Sequence, residues 1–455
     1  MADFVSLNTA LTALRAARVR IDTAAGNVAN AATPGYTRRR AELVPAPSYL
    51  SAYGWIGGGV DVDGVVRTRD AFLDARVRGG QDLLGQLSVR SELLQRAEAA
   101  LAEPEQGISA PLADLWAAFE DLALDPTSSG ARITVLGALG DVADRVRGVA
   151  SAWDALERDA ATTLGARVEE VNGLLGSLAD VNRAIVATPT GQPDATLLDR
   201  RDALVDRLAV LVGAHAIEQG DGTVRVSVGG IGLVDGAVAT TIRLTPSFDV
   251  VDASTGATLV PGGEVGGYRR FLLQDLPGLR AGLDAFARDL ADALNAQHEA
   301  GWVSDTTPGG PLLSYAPGNV ARTLQVAISD PADLAASSQP GPPFPAFDGG
   351  NARALADLRT ALVASGGTDT LGGAARALAV GLGATLAGAT RATETQRQLT
   401  AAAELARQGE HGVSLDEEMT GLIEARHAFD AAARLMSVVD EALDVLINRT
   451  GLVGR

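Results

Sequence analysis

Leu7, Leu14, Ile21 and Val28 repeat every seven residues, with Leu11 between them. Near the other end Leu415, Leu422, Phe429, Met436 and Leu443 keep the same interval. Ala425, Ala432, Val439 and Leu446 form a companion row three positions on. A period of 3.5 draws one apolar stripe along a helix. A lone helix of this kind is marginal in water, because each Leu or Phe contributes its roughly 1.5–3 kcal/mol only when a partner covers it. Both rows meet the middle of the chain at helix breakers, Pro34-Gly35 on one side and Gly409 and Gly412 on the other. The two ends are therefore expected to pair with each other, and with neighbouring copies, in a layer separate from the middle.

The first seam runs into Asn27-Val-Ala-Asn-Ala-Ala-Thr-Pro-Gly-Tyr-Thr-Arg38. Pro34 fixes φ at the first corner of a turn, and Gly35 can supply the positive φ that type II geometry needs at the second. Thr33 precedes proline and is pushed out of the helical region. Asn27 and Asn30 are expected to satisfy the last free carbonyls of the helix, and Tyr36 offers a large face with a polar tip. The segment up to Arg38 reads as a shaped joint. At the other end, Ser414-Leu-Asp-Glu417 has capping-box spacing and should start the last helix, with Gly451 as its stop.

Between the ends the periodicity changes twice. Helical spacing covers about 68–103, 112–124 and 131–185, the last with Val135, Val142, Val146, Val149, Trp153 and Leu156 near one stripe. Residues 30–64, broken by prolines and a glycine run, read as extended chain and turns. Thr223–Val228 alternates apolar with polar residues and ends in Gly229-Gly230, a half-buried strand and turn, and short apolar runs continue to Val251. Residues 276–299 are helical again, 300–350 are rich in Pro and Gly, and helices resume near 352. The expected fold is mainly α with a β-rich insertion. Its expected parts are a terminal coiled-coil layer (1–64 and 408–455), a long-helix bundle (65–185 and 271–407) and a small inserted β-rich outer domain (186–270).

Composition removes most chemistry. A net charge of −18 and a pI near 4.7 argue against nucleic acid, which needs a basic face, and against anionic lipid. There is no cysteine and no lysine, so thiolate, disulfide, Schiff-base and Walker-lysine chemistry are all excluded. The Gly383–Gly388 run resembles a P-loop but is followed by Ala389-Thr390, and Asp61-Val-Asp63-Gly64 lacks the remaining ligands of a calcium loop. His298-Glu299 has no second histidine at zinc spacing, and the four histidines are scattered. The apolar run 377–390 is too short to span a bilayer, and the start carries no visible signal peptide. No catalytic residue, cofactor or metal is expected.

The joint resembles the N-terminal signature of the bacterial flagellar axial proteins. Ser414-Leu-Asp-Glu-Glu-Met-Thr-Gly-Leu-Ile423 and the run from Val439 to Ile447 resemble the C-terminal signature of the branch found at the hook–filament junction. Leu197–Asp206, Asp221–Gly230, Gly262–Gly267 and Leu294–Gly301 agree with that branch over rod and hook proteins. The resemblance implies a structural subunit of the flagellum, exported through its type III apparatus with the help of an export chaperone. It further implies a ring of about eleven subunits set by the helical lattice of the family. The implied partners are further copies of the chain, the hook protein and the second junction protein. Other axial proteins, or a secreted coiled-coil adhesin presenting 186–270, are the alternatives.

Overall fold

The computed structural model describes residues 2–51, 54–101, 107–188 and 193–445. Helix α1 (Ala2–Asn30) leads through the turn at 31–37 into strands β1 (Arg39–Pro45), β2 (Tyr49–Ser51), β3 (Gly54–Ile56) and β4 (Val60–Arg67). β1 pairs antiparallel with β4, and β2 with β3, so the stretch expected as extended chain and turns is one long β arm. Helices α2 (Ala71–Leu101), α3 (Ser109–Leu124), α4 (Ser129–Val186) and α5 (Ala195–Val212) follow.

Next come β5 (His215–Glu218), β6 (Val224–Val228), β7 (Ile231–Asp235) and β8 (Val238–Ala239), a four-stranded antiparallel sheet in sequence order. β9 (Ile242–Leu244), β10 (Val250–Asp252) and β11 (Thr258–Leu259) make a three-stranded sheet with β10 central. Helix α6 (Gly263–Arg270) passes through a π turn into α7 (Leu276–Glu299). Then come β12 (Leu313–Ser314), α8 (Val320–Thr323), β13 (Gln325–Val326), α9 (Gly350–Asp357), α10 (Leu371–His411) and α11 (Leu415–Asp444).

The fold is thus mainly α with small antiparallel sheets. The interval 186–270 differs in detail from its expectation, since it opens on the 18-residue α5 and closes on α6. Leu208, Leu211 and Val212 of α5 are buried, and this 3.6-residue periodicity places the helix against α2 and α4 rather than in a sheet.

α4 is the spine. Its 58 residues, about 87 Å at 1.5 Å per residue, bury Val135, Val142, Val146, Val149, Trp153 and Leu156 on one stripe that continues through Leu164, Val171 and Leu178. Ser128 caps it by accepting the Ala131 N–H at 3.2 Å. Trp153 donates its indole N–H to the Ala97 carbonyl of α2 at 3.0 Å, so its polar tip is satisfied inside the core. Near the far end Asn172 and Asn182 each make paired bonds to strand backbone, Asn172 to Ile242 and Asn182 to Val224, pinning both sheets to the helix.

Two antiparallel helix pairs build the rest. α10 lies along α2, with Ser91 and Thr390 hydroxyls 3.2 Å apart and Gln396 donating to the Gly80 carbonyl at 3.2 Å. A Cβ on Gly80 would fall 2.9 Å from Thr400 Oγ1, so glycine permits this approach. By length and composition alone one window within 371–444 could cross a bilayer; in the fold α10 lays Ala375, Leu382, Ala389 and Ala403 inward. The second pair is α1 with α11. Asn27 meets Glu418 and Arg20 meets Glu424, which makes the pair antiparallel.

His298 shows how the proline-rich segment is held. Its Nε2 accepts the Ala335 N–H at 2.8 Å while Nδ1 donates to the Gly310 carbonyl, and the ring is fully buried. Burial holds its pKa below the ordinary value. The unfolded chain therefore protonates first as pH falls. The contribution to stability is complete above about pH 6.5 and is lost as pH drops through the depressed folded value. Thermal unfolding from pH 8 to 5 should show this loss, and His298→Asn should flatten that part of the profile.

Candidate functional site

The joint is assembled by Asn27, which is fully buried although it is the last but three of α1. Its Nδ2 donates to the Arg39 carbonyl at 2.8 Å and to Glu418 Oε2 at 3.0 Å. Its Oδ1 accepts the Arg39 N–H at 3.0 Å and the Tyr36 hydroxyl at 2.9 Å. One amide thus ties the end of α1 to the turn, the arm and α11. This corrects the expectation that Asn27 serves the helix carbonyls, a role that Asn30 fills by donating to the Gly26 carbonyl at 2.9 Å. Asn30 Oδ1 in turn accepts the Thr33 hydroxyl at 3.3 Å.

The turn has the expected form. The Tyr36 N–H donates to the Thr33 carbonyl at 3.2 Å across Pro34-Gly35, and Gly35 has φ +78°. Nothing lies within 4 Å of a Cβ built on Gly35, so any cost of a side chain there is backbone strain alone. Gly35→Val should weaken the joint by about 1–3 kcal/mol. Faster hydrogen exchange at Tyr36 and Arg39, with an unchanged melting transition for the middle of the chain, is the expected result. Gly35→Asn, which tolerates positive φ, should cost less. Beyond the turn the Arg39 guanidinium lies 5.0 Å from the Tyr36 ring centroid.

Arg38 carries the joint to the last helix. Its Nε donates to Glu418 Oε1 at 2.7 Å and its Nη1 to Glu417 Oε2 at 2.8 Å. Its backbone N–H donates to the His411 carbonyl at 3.0 Å. Ser414 is the N-cap of α11, as the spacing predicts, but makes no side-chain cap bond, and the reciprocal box with Glu417 is not what orients that carboxylate. Arg38, a cation, is the stronger partner for it.

The apolar rows are divided by size. On α11 the buried row is Glu418, Ala425, Ala432 and Val439. On α1 it is Ala10, Ala17 and Ala24, again seven apart, with Ala16 beside them. Leu7, Leu11, Leu14, Ile21 and Val28 flank this alanine seam and are half-buried. So are Leu422, Met436 and Leu443, while Leu415 is 52% and Phe429 36% exposed. Leu446 lies outside the described residues. Small residues at the centre let two backbones approach closely, and the large ones then spill to either side. Met419, Ile423, Leu435 and Val438 of α11, and Val445 just beyond it, are also exposed.

Beneath the joint lies an ionic lattice to which the sequence analysis assigns no role. Arg67 bridges Asp199 and Asp202 at 2.8 and 2.9 Å. Arg69 meets Asp74 and, at 3.0 Å, Asp202. Arg78 and Arg407 share Asp206 at 2.6 and 2.8 Å. Burial raises the Asp202 carboxyl, but Arg201, Arg69 and Arg67 outweigh it and hold the pKa below the usual range. His411, at the end of α10, accepts the Asp70 N–H on Nε2 at 2.8 Å, and burial first, then Arg407 and Arg69, lowers its pKa.

These groups surround a cavity of about 400 Å³ between the turn, α2, α5 and α10. The signal was present in the sequence: Asp199, Asp202 and Asp206, spaced three and four apart, share one face of α5. The carboxylates are paired with arginines, and among the described residues no group of three or more His, Asp or Glu converges as metal ligands. The arrangement ties the end of β4 and the last turns of α10 to α2 and α5.

Residues 94–313 match the family described as flagellar hook-associated protein FlgK helical domain. Residues 7–37 match flagella basal body rod protein, and 410–449 match flagellar basal body rod FlgEFG protein C-terminal. The chain is 30% identical to flagellar hook-associated protein 1 of Bacillus subtilis over 505 aligned positions, covering 99% of each. It is 30% identical to the protein of the same name in Salmonella typhimurium, over 68% of this chain and 59% of that one. The solved flagellar hook junction protein FlgK from Burkholderia pseudomallei superposes with a TM-score of 0.66 at 17% identity, covering 75% of this chain and all of the other, a likeness of fold.

Proposed function

The chain belongs to the flagellar hook-associated protein 1 family, a family of structural flagellar proteins, and from that premise we propose that it forms the junction between hook and filament. In this reading about eleven copies close into a ring at the distal end of the hook. The terminal helices make the contacts, against each other, against hook subunits below and against the second junction protein above. The chain reaches the tip through the flagellar export apparatus, carried by an export chaperone, and works without catalysis, cofactor or metal.

The observation that carries the reading is the outer surface of α11. Leu415, Met419, Ile423, Phe429, Leu435 and Val438 are exposed on one helix that packs, among the described residues, chiefly on α1 and the joint. Exposed apolar surface of this extent on one element marks an interaction site. The domains proposed to divide the labour are the terminal layer at 1–64 and 408–455, the helical body at 65–185 and 271–407, and the insertion at 186–270.

Deleting the gene tests the function. Cells should build hooks, lack filaments and shed flagellin into the medium, and the intact gene should restore swimming. Filaments of normal number in the deletion strain would refute it.

A further inference from the structure

We infer that His411 is a proton-operated latch: its neutral imidazole staples together the two places where the chain crosses between the terminal pair and the helical body, and protonation releases them. Every contact involved lies within one chain, so the inference goes beyond the junction-subunit reading and stands or falls without it.

The chain enters the body at 68–70, between β4 and α2, and leaves it at 412–414, between α10 and α11. Both crossings meet at one residue. His411 Nε2 accepts the Asp70 N–H at 2.8 Å. The His411 carbonyl accepts the Arg38 N–H at 3.0 Å, and the Arg38 carbonyl accepts the Thr68 N–H at 2.8 Å. Asp70 also starts α2, its Oδ1 accepting the Phe72 and Leu73 N–H groups at 2.8 and 3.2 Å. His411 thus ties the end of α10 to the start of α2 and to the entry of β1.

The tie to Asp70 needs a lone pair on Nε2, so the proton of the neutral ring sits on Nδ1. An imidazolium donates from both nitrogens and would set an N–H against the Asp70 N–H. The charged groups around the ring divide. Asp74 of α2, 3.9 Å from Nδ1, and Asp70 favour the cation, while Arg407 and Arg69 oppose it. The others are engaged with partners. Arg78 holds Asp206, Arg67 holds Asp199 and Asp202, and Arg407 holds Glu404. On the joint side Arg38 holds Glu417 and Glu418 of α11. Burial is the largest influence and keeps the ring below the ordinary imidazole value. The side chain is 14% exposed and lines the 400 Å³ cavity, so a proton can reach it. The latch is therefore closed at and above the ordinary value and opens as pH falls through the depressed folded value.

Other ties keep the arm on the body when the latch opens. Arg67 bridges Asp199 and Asp202 of α5 at 2.8 and 2.9 Å. Burial raises the Asp202 pKa, but Arg201, Arg69 and Arg67 hold it below the usual carboxylate range, so this carboxylate stays charged while the imidazole titrates. The arm remains pinned on α5 and the corner between α10 and α11 is freed. The terminal pair then pivots about the α5 side, pointing in one direction with the latch closed and in many with it open.

The chain has no cysteine, so spin labels go only where cysteines are introduced. Ala392 on α10 and Ala428 on α11 are exposed. With Ala392→Cys and Ala428→Cys labelled on the purified full chain, the distance distribution should be narrow at about pH 8 and broad at about pH 5. Protection of the Asp70 amide, corrected for intrinsic exchange, should fall by about tenfold over the same range, while α4 amides stay protected. His411→Gln, whose amide oxygen accepts at either pH, should hold both readouts at their pH 8 values. His411→Lys, which has no acceptor, should give the broad distribution already at pH 8.

A parent chain with the same distribution and the same Asp70 protection at both pH values overturns the latch. So does a His411→Gln chain that holds the Asp70 amide at pH 8 and still broadens on acidification. If glutamine does not hold that amide at pH 8, His411→Lys decides, and a narrow distribution there overturns the latch. Loss of α4 protection in step with Asp70 also overturns it, because the change is then global.

Discussion

Phe429→Asp is expected to melt close to the parent chain and yet to be missing from hook tips. Position 429 is 36% exposed on the flank of the alanine seam. An aspartate there can reach water in the isolated chain, so the loss is limited to partial contact with α1. That should be about 1 kcal/mol or less, or about 2–4 °C in a domain of ordinary size. In the proposed ring the same position is covered by a neighbour, and an unpaired carboxylate would be buried at a cost of about 3 kcal/mol or more. Incorporation should then fall by more than about a hundredfold. Thermal unfolding of the purified monomer, beside immunolabelling of hook tips, reads both. A drop in melting temperature of about 8 °C or more would place Phe429 in the chain's own core and remove it from the assembly surface.

Glu418→Ala should do the opposite, loosening the chain before any partner is met. Glu418 is 6% exposed and stands in the buried row where Ala425, Ala432 and Val439 continue it. It receives Arg38 at 2.7 Å and Asn27 at 3.0 Å. Alanine fits the seam sterically but leaves a fully buried amide and a mostly covered guanidinium without this partner. Breaking such a pair costs about 3 kcal/mol, here reduced somewhat because Arg38 keeps Glu417. The effect should be local. Hydrogen exchange along α11 and the last turns of α1 should accelerate by about a hundredfold, while amides of α4 remain protected. Glu418→Gln, which can still accept from Asn27, should recover part of the protection. Equal acceleration in α4 would mean that the terminal pair and the body open as one unit.

The body of the fold was legible because its periods are strong and its residues large. The stripe from Val135 to Leu156 predicts the buried face of α4, and the alternation at 223–228 predicts β6. The seam was legible in period but not in phase. Hydropathy ranks Leu415, Leu422 and Phe429 above Ala425 and Ala432, whereas close approach of two helices selects the smaller row. Heptad spacing cannot distinguish these rows, because both obey it.

The joint was legible where its geometry is local, as at Pro34-Gly35, and illegible where its partner is remote. Asn27 looks like a helix-terminal asparagine until Glu418, 391 residues on, is brought beside it. α5 lies inside an interval expected to be β-rich, because the alternation at 223–228 and the short apolar runs after it dominate that interval, while the helical period of Val205, Leu208, Leu211 and Val212 is brief.

The alanine seam also bears on how many copies can stand side by side. Helices in contact through Ala10, Ala17, Ala24, Ala425 and Ala432 pack near the lower end of the usual range, at about 8 Å between axes. The pair is therefore a flat slab, one helix wide on its narrow edge, about 10 Å. In the proposed ring, with one helix of each pair set inside the other, about eleven such edges would span a circumference of about 110 Å. Such a ring would leave a bore wide enough for an extended or helical polypeptide to pass along the axis. Replacing the alanines by leucine would thicken each slab radially, narrowing the bore from within while the count of copies stays the same.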